Sequence, residues 1–214
     1  MTTHEPRESE RSDLFVVLPA IDEETRRRLH DRLVREAQTA GILDVGYRTI
    51  DSPVGPLLLA ATAKGLVRVA YGCENHEKVL ERLARDLSPR ILHAPERLDG
   101  AAREIDEYFA GLRHRFDLPV DLSLTGGFRR LVLTRLRAID YGQMATYRAI
   151  AVAVGNPKAV RAVGTACATN PLPIVVPCHR VVRSDGSIGQ YVGGVDAKKT
   201  LLTLEGRPAD RDGR

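Results

Sequence analysis

The chain of 214 residues is long enough for one large domain or two modest ones, each with its own core. Its 43% hydrophobic and 28% charged residues are typical of a globular protein; no stretch approaches the ~18 apolar residues of a membrane span, and residues 1–11 carry no apolar signal-peptide core. Three cysteines (Cys73, Cys167 and Cys178) are too few and too irregularly spaced for a disulfide framework, which suits a reducing, cytoplasmic setting. The formal net charge of +4 is unevenly divided: residues 1–125 hold 18 Lys+Arg against 22 Asp+Glu, whereas residues 126–207 hold 12 against 4. Such asymmetry fits a C-terminal half that meets a polyanion, although a solvated basic surface would look the same.

In chain order, residues 1–43 form an extension. Asp22 suits the N-cap of a helix with Leu29, Leu33, Val34 and Ala37 on one face, ending near Gly41. Strands are predicted over 45–50, 57–62 and 66–71, separated by Ser52-Pro53-Val54-Gly55-Pro56 and Lys64-Gly65, which makes an antiparallel meander. A helix over 75–87 follows, with Val79, Leu80, Leu83 and Leu87 on its apolar face. A second over 95–110 shows Leu98, Ala102, Ile105 and Phe109 at helical spacing, and 116–120 reads as a last strand. The charge balance changes sign near 122–126, which places the boundary between a 44–122 domain and a 123–214 domain.

Beyond Gly126-Gly127 the pattern is helical. Leu131, Leu133, Leu136 and Ile139 mark one helix, ending before Tyr141-Gly142, and Thr146 can cap a short helix over 147–154. Gly155-Asn156 turns the chain, and Pro157 suits the first position of a helix whose Val160, Val163 and Cys167 form a buried stripe. Its other face presents Lys158, Arg161, Ala162 and Thr165. Two short helices joined by a glycine-containing turn, the second with a basic, small-residue face, have the form of a helix-turn-helix, a pattern that non-DNA-binding domains also contain.

The segment Asn170-Pro171-Leu172-Pro173-Ile174-Val175-Val176-Pro177-Cys178-His179-Arg180-Val181-Val182 carries the chemistry. A cysteine beside a histidine in an apolar, proline-bounded setting invites a nucleophile, because the thiolate is the reactive form; yet adjacent side chains of an extended chain point opposite ways, so adjacency alone makes no dyad. The wider pattern is more specific. Pro177-Cys178-His179-Arg180-Val181-Val182 resembles the active-site signature of the methylated-DNA–protein-cysteine methyltransferases. The similarity runs upstream through Tyr147, Gly155-Asn156-Pro157-Lys158, Arg161-Ala162-Val163-Gly164 and Asn170-Pro171. Downstream it takes in Gly189, Tyr191, Gly193-Gly194, Lys198, Leu201-Leu202 and Glu205-Gly206. It covers residues 128–207 closely and 45–120 more loosely, and does not reach 1–43.

The resemblance implies an α+β protein: a small ribonuclease-H-like N-terminal domain with an antiparallel sheet, and a helical C-terminal domain with the helix-turn-helix. It implies direct-reversal DNA repair, in which Cys178 irreversibly takes the alkyl group from O6-alkylguanine, and by extension O4-alkylthymine, in double-stranded DNA. His179 would reach the sulfur through a water with Glu205 holding His179, Asn170 would fix the loop, and Tyr147 would donate to the base. The carbonyls of Cys178 and Val181 would accept from the guanine amine, while Tyr191, Val192 and Gly193 would form a lid. A thiol in a pocket cannot reach a stacked base, so the nucleotide must flip out. Arg161 would fill the vacated space, with Lys158, Ala159, Ala162 and Thr165 against the DNA.

Some positions depart from the family pattern. A hydroxylic residue common in the lid is Val192 here, and Gly193 is expected to leave the pocket rim open. Some relatives bind zinc, but Cys73 and His76 have no second pair, so neither metal nor cofactor is expected. A monomer is expected, with cooperative loading on DNA left open. The alternatives are a non-catalytic binder of alkylated DNA, a helix-turn-helix regulator with an incidental Cys-His pair and, more remotely, a thiol hydrolase.

Overall fold

The computed structural model describes residues 21–206; the expectations for residues 1–20 and 207–214 lie outside the described residues. Helix α1 (Glu23–Thr39) starts at Asp22, whose carboxylate accepts from Thr25 N–H at 2.8 Å. Of the residues expected on its apolar face only Ala37 is buried, packed with Leu43 and Ala94, while Leu29 and Leu33 are half exposed. Strands β1 (Val45–Ile50), β2 (Leu57–Thr62) and β3 (Gly65–Tyr71) form the antiparallel meander. The sheet is nevertheless mixed, because β4 (Ile91–His93) pairs parallel to β1 and gives the order β3-β2-β1-β4. Three residues are too few to show a period, so this strand escapes a reading by alternation.

Strand β2 explains its own composition. Leu57, Leu59 and Ala61 join the main core, while Leu58 and Ala60 face Val79 and Leu83 of α2 (His76–Asp86) on the other side. A strand buried on both faces reads as a continuous apolar run. A 3-10 turn (Pro95–Leu98) leads into α3 (Asp99–Phe109), whose Ala102, Ile105 and Tyr108 complete that core. The expected strand at 116–120 is absent: only a bridge between Leu66 and Val120 forms, and Pro119 has no N–H to continue it. At Gly65, with φ +131°, a Cβ would collide with the Pro119 carbonyl, so the close approach needs glycine.

The C-terminal part contains α4 (Gly127–Leu136), β5 (Ala145–Thr146), α5 (Tyr147–Ala153), α6 (Val160–Ala168), β6 (Val181–Val182) and α7 (Gly194–Leu204). In α4 the buried residues are Val132, Leu133 and Leu136; of the predicted stripe Leu133 and Leu136 are buried, Leu131 is exposed, and Ile139 lies beyond the helix end and is partly buried. Thr146 caps α5 by accepting from Ala149 N–H at 3.1 Å. Pro157 lies in the turn before α6 rather than at its first position. Val163, Ala166 and Cys167 are that helix's buried stripe, and Val160 is left exposed. One continuous cluster of buried side chains runs from Leu57, Leu59 and Tyr108 to Leu133, Val163 and Cys178, so the two parts of the chain share a core. Among the described residues no helix is long and apolar enough to cross a membrane.

Candidate active site

Every residue from Asn170 to Val182 is buried, although little of the segment is regular structure. Buried irregular backbone must satisfy its polar groups locally. Three prolines (Pro171, Pro173 and Pro177) remove N–H groups, and Asn170 serves one N–H and one carbonyl: its Oδ1 accepts from Leu172 N–H at 3.0 Å, and its Nδ2 donates to Val176 O at 2.8 Å. Ile174 sits at φ +73°, a conformation costing a β-branched residue about 1–3 kcal/mol, so the loop is held by its surroundings rather than by its own preference. The surroundings include β3, whose Val69 N–H donates to Pro171 O at 2.8 Å.

The 3-10 turn Cys178–Arg180 separates the directions of Cys178 and His179. Cys178 is 3% exposed, and Asn170 Nδ2 donates to its sulfur at 3.1 Å. Burial pushes the thiol pKa up to about 11; the Asn170 hydrogen bond and the Lys198 charge act in the opposite direction. His179 is fully buried, and burial lowers its pKa against the pull of Glu205. Its Nε2 lies 2.9 Å from Glu205 Oε1. Burial works against ionisation of Glu205 too, yet hydrogen bonds from His179 and Arg180 bring its pKa to about 2. An ionised carboxylate only accepts, so Nε2 of a neutral His179 carries the proton and Nδ1 carries the lone pair. Nδ1 is buried without a protein partner, which makes it the free basic atom of this histidine.

Glu205 is more heavily engaged than a histidine partner alone requires. Arg180 grips it through Nε to Oε2 and Nη2 to Oε1, both at 2.9 Å, while Tyr108 Oη donates at 2.8 Å and Gly142 N–H at 3.1 Å. Neither Arg180 nor Tyr108 was singled out from the sequence. The available signals were an arginine inside an otherwise apolar run and a tyrosine at i+3 from Ile105 on the buried face of α3. Lys198 is also fully buried and donates to Val181 O at 2.6 Å, occupying one lone pair of the carbonyl expected to face guanine. Tyr147 is half-buried over Gly189, where a Cβ would lie 2.8 Å from its hydroxyl; burial and the thiols of Cys167 and Cys178 raise its pKa.

The expected lid lies over this cluster, with the Tyr191 ring 6.4 Å from that of His179 and edge-on. Gly193 does not leave an open rim. A Cβ there would lie 2.7 Å from ring carbons of Tyr71, so the space is filled from β3. On α6 the side chains of Arg161, Ala162 and Thr165 are exposed; Lys158, expected on the same helix face, is exposed in the preceding turn, and the N-cap Ala159 is half-buried. No group of three or more His, Cys, Asp or Glu able to hold a metal ion occurs among the described residues.

Residues 45–122 match the ribonuclease-like domain, and residues 127–207 the DNA binding domain, of 6-O-methylguanine DNA methyltransferase. The chain belongs to this family. It is 39% identical over 159 residues to the methylated-DNA–protein-cysteine methyltransferase of Methanosarcina barkeri, covering 74% of this chain and 96% of that one. The solved O6-methylguanine methyltransferase of Mycobacterium tuberculosis matches with a TM-score of 0.67 at 39% identity, covering 78% of this chain and 96% of the other. A structure of that organism's protein in complex with DNA matches at 0.65 and 38% identity, covering 77% and 96%. Helix α1 lies outside both matched domains, so the family accounts for the sheet, the helices and the buried loop but not for this extension.

Proposed function

We propose that the protein repairs DNA by transferring the alkyl group of O6-alkylguanine to Cys178, once per molecule. Family membership supports the reaction class, and one observation carries the assignment of residues. A neutral His179 donates through Nε2 to an ionised Glu205, which leaves its buried Nδ1 lone pair without a protein partner, one residue along the chain from the thiol. Cys178 is neutral at rest because burial disfavours the thiolate, so the sulfur is activated only when its proton can leave. As the sulfur attacks the alkyl carbon and the carbon–oxygen bond breaks, the thiol proton passes to His179 through a bridging water. The expelled guanine anion, hydrogen-bonded by Tyr147, takes up one proton from water, and His179 returns the thiol proton to water, so both side chains end as they began. The sum is thiol plus O6-alkylguanine giving thioether plus guanine. A thioether offers no leaving group for regeneration, so the chemistry ends there.

DNA enters this reading through α6. Its exposed Arg161, flanked by small side chains, would occupy the stack vacated by the flipped nucleotide, and Lys158, Ala159, Ala162 and Thr165 would lie against the duplex. The Cys178 and Val181 carbonyls would select guanine by its exocyclic amine. Residues 123–214 thus serve as the DNA-binding and alkyl-acceptor domain and 44–122 as its support, in a monomer acting in a reducing, cytoplasmic setting. The test is incubation of the protein with duplex DNA carrying radiolabelled O6-methylguanine. About one label per chain, all on the peptide containing Cys178, is the expected outcome. Repeated turnover, or label on Cys73 or Cys167, would sink the proposal.

A further inference from the structure

The lid is touched from the N-terminal domain at each of its three residues. Tyr71, the last residue of β3, is 1% exposed, and its hydroxyl lies 2.9 Å from that of Tyr191, with the two rings edge-on at 5.7 Å. Its ring fills the place where a side chain at Gly193 would stand. Between them, the Cys73 thiol reaches Val192 O at 3.7 Å. The segment that makes these contacts is itself anchored: Tyr71 N–H donates to Glu74 Oε1 at 3.0 Å, and Glu74 is paired with Arg68. The same strand holds the opposite wall of the site through Val69 N–H and Pro171 O. One strand therefore contacts both the active-site loop and the lid, while Cys178 between them is almost sealed. Beside Val192 lies a cavity of about 340 Å³, lined also by Asn170, Arg68 and Arg82.

We propose that Tyr71 is a positioning residue that sets the height of the 191–193 lid above Cys178 and so limits the size of alkyl group that the pocket accepts. The inference rests on the alkyl-transfer reading and deepens it. Admission of a base requires the lid to move. The hydroxyl pair and the ring against Gly193 resist that movement, and a bulky group demands more of it than a methyl group. Removing the hydroxyl loosens one contact, whereas removing the ring loosens both.

The experiment uses the full chain with Tyr71→Phe and Tyr71→Leu. It measures rates of reaction with O6-methylguanine in duplex DNA and with the free base O6-benzylguanine, together with amide hydrogen exchange in the absence of substrate. The ratio of benzyl to methyl rates should rise about twofold in Tyr71→Phe and about fivefold or more in Tyr71→Leu. Exchange at 191–194 should quicken in both variants while that at 181–182 stays as in the wild type. Rates that fall in common proportion with an unchanged ratio, or exchange at 191–194 that does not change, would overturn the proposal. Should Tyr71→Leu fail to fold, Tyr71→Phe decides alone by the same two readouts. A wild-type protein that reacts with neither substrate would refute the alkyl-transfer reading instead, and the exchange measurement distinguishes the two failures.

Discussion

The active-site loop and helix α6 are neighbours in sequence and opposites in environment. From Asn170 to Val182 every residue is buried, whereas Arg161, Ala162 and Thr165 stand exposed on α6 and Lys158 in the turn just before it. In the loop, each buried side-chain nitrogen and oxygen has a partner, with one exception, Nδ1 of His179. On α6 Thr165 Oγ1 donates back to Arg161 O at 3.2 Å, while the Arg161 side chain is exposed to solvent. In the proposed reaction the difference would separate two kinds of work. Moving a proton off a neutral thiol needs a buried site whose charges are already placed, while gripping a duplex of any sequence needs side chains that remain solvated until contact. Substitutions in the loop should therefore cost stability and chemistry together, and substitutions on α6 should cost function alone.

The strongest test of that contrast is Glu205→Gln. The carboxylate accepts from His179, Arg180, Tyr108 and Gly142, so an amide would leave the buried Arg180 without its counter-charge. Breaking a buried pair from one side costs about 3–5 kcal/mol. Urea denaturation should show a loss of that order, and whatever folded protein remains should transfer alkyl groups slowly, because His179 loses the anion that orients it. A stability within about 1 kcal/mol of the wild type would mean that Arg180 finds another acceptor and that the loop is less tightly determined than its burial implies.

The two regions were also unequally legible in the sequence. Helix α6 follows a helical period, so its buried and exposed faces could be assigned from spacing. The error at Val160 arose because the helix begins at that residue, where its outer side is still uncovered. The sheet was readable for the same reason, apart from β4, whose three residues are too short to alternate. The loop has no period at all. Its proline-bounded Cys-His pair could be recognised only as a motif, and a motif names neighbours in sequence rather than in space. Tyr108, 97 residues away from Glu205, and Tyr71, 120 residues away from Tyr191, reach the site through tertiary packing that leaves no local signal. Gly193 shows the same limit: a missing side chain looked like an open rim, and the space belongs to Tyr71.

On the exposed side, Arg161→Ala should leave the denaturation midpoint unchanged, because no buried contact is lost. Its expected cost appears only where a base must be flipped, a step worth a few kcal/mol. Alkyl transfer from duplex DNA should slow by about tenfold, while reaction with free O6-benzylguanine should stay near the wild-type rate. Equal slowing of both reactions would remove Arg161 from the extrusion role. A shift in stability would show that α6 is not the freely solvated face that its exposure indicates.

The smallest effects should appear in the pH dependence, where each end of the buried cluster sets one limit. Glu205 has its pKa brought down from 4.5 to about 2 in the folded protein, so its contribution to stability is present above pH 4.5 and is lost as the pH falls from there toward 2. Cys178 behaves oppositely. Its pKa is raised from 9.0 to about 11, so the neutral thiol's contribution is present below pH 9.0 and is lost as the pH rises through 11. Lys198, whose pKa burial lowers, works against this alkaline loss, so the informative quantity is the difference between the wild type and Cys178→Ala. Thermal melts should show the wild type losing stability relative to Cys178→Ala above pH 9; parallel curves there would mean that the thiol is not held neutral by burial. The same raised pKa bears on the reaction. Attack by pre-formed thiolate would make the rate climb about tenfold per pH unit between pH 7 and 9. Proton removal by His179, already neutral in this range because burial lowers its pKa, predicts a flat profile over the same interval. A climbing profile would leave Glu205 and His179 as scaffolding and assign activation of the sulfur to Asn170 and Lys198.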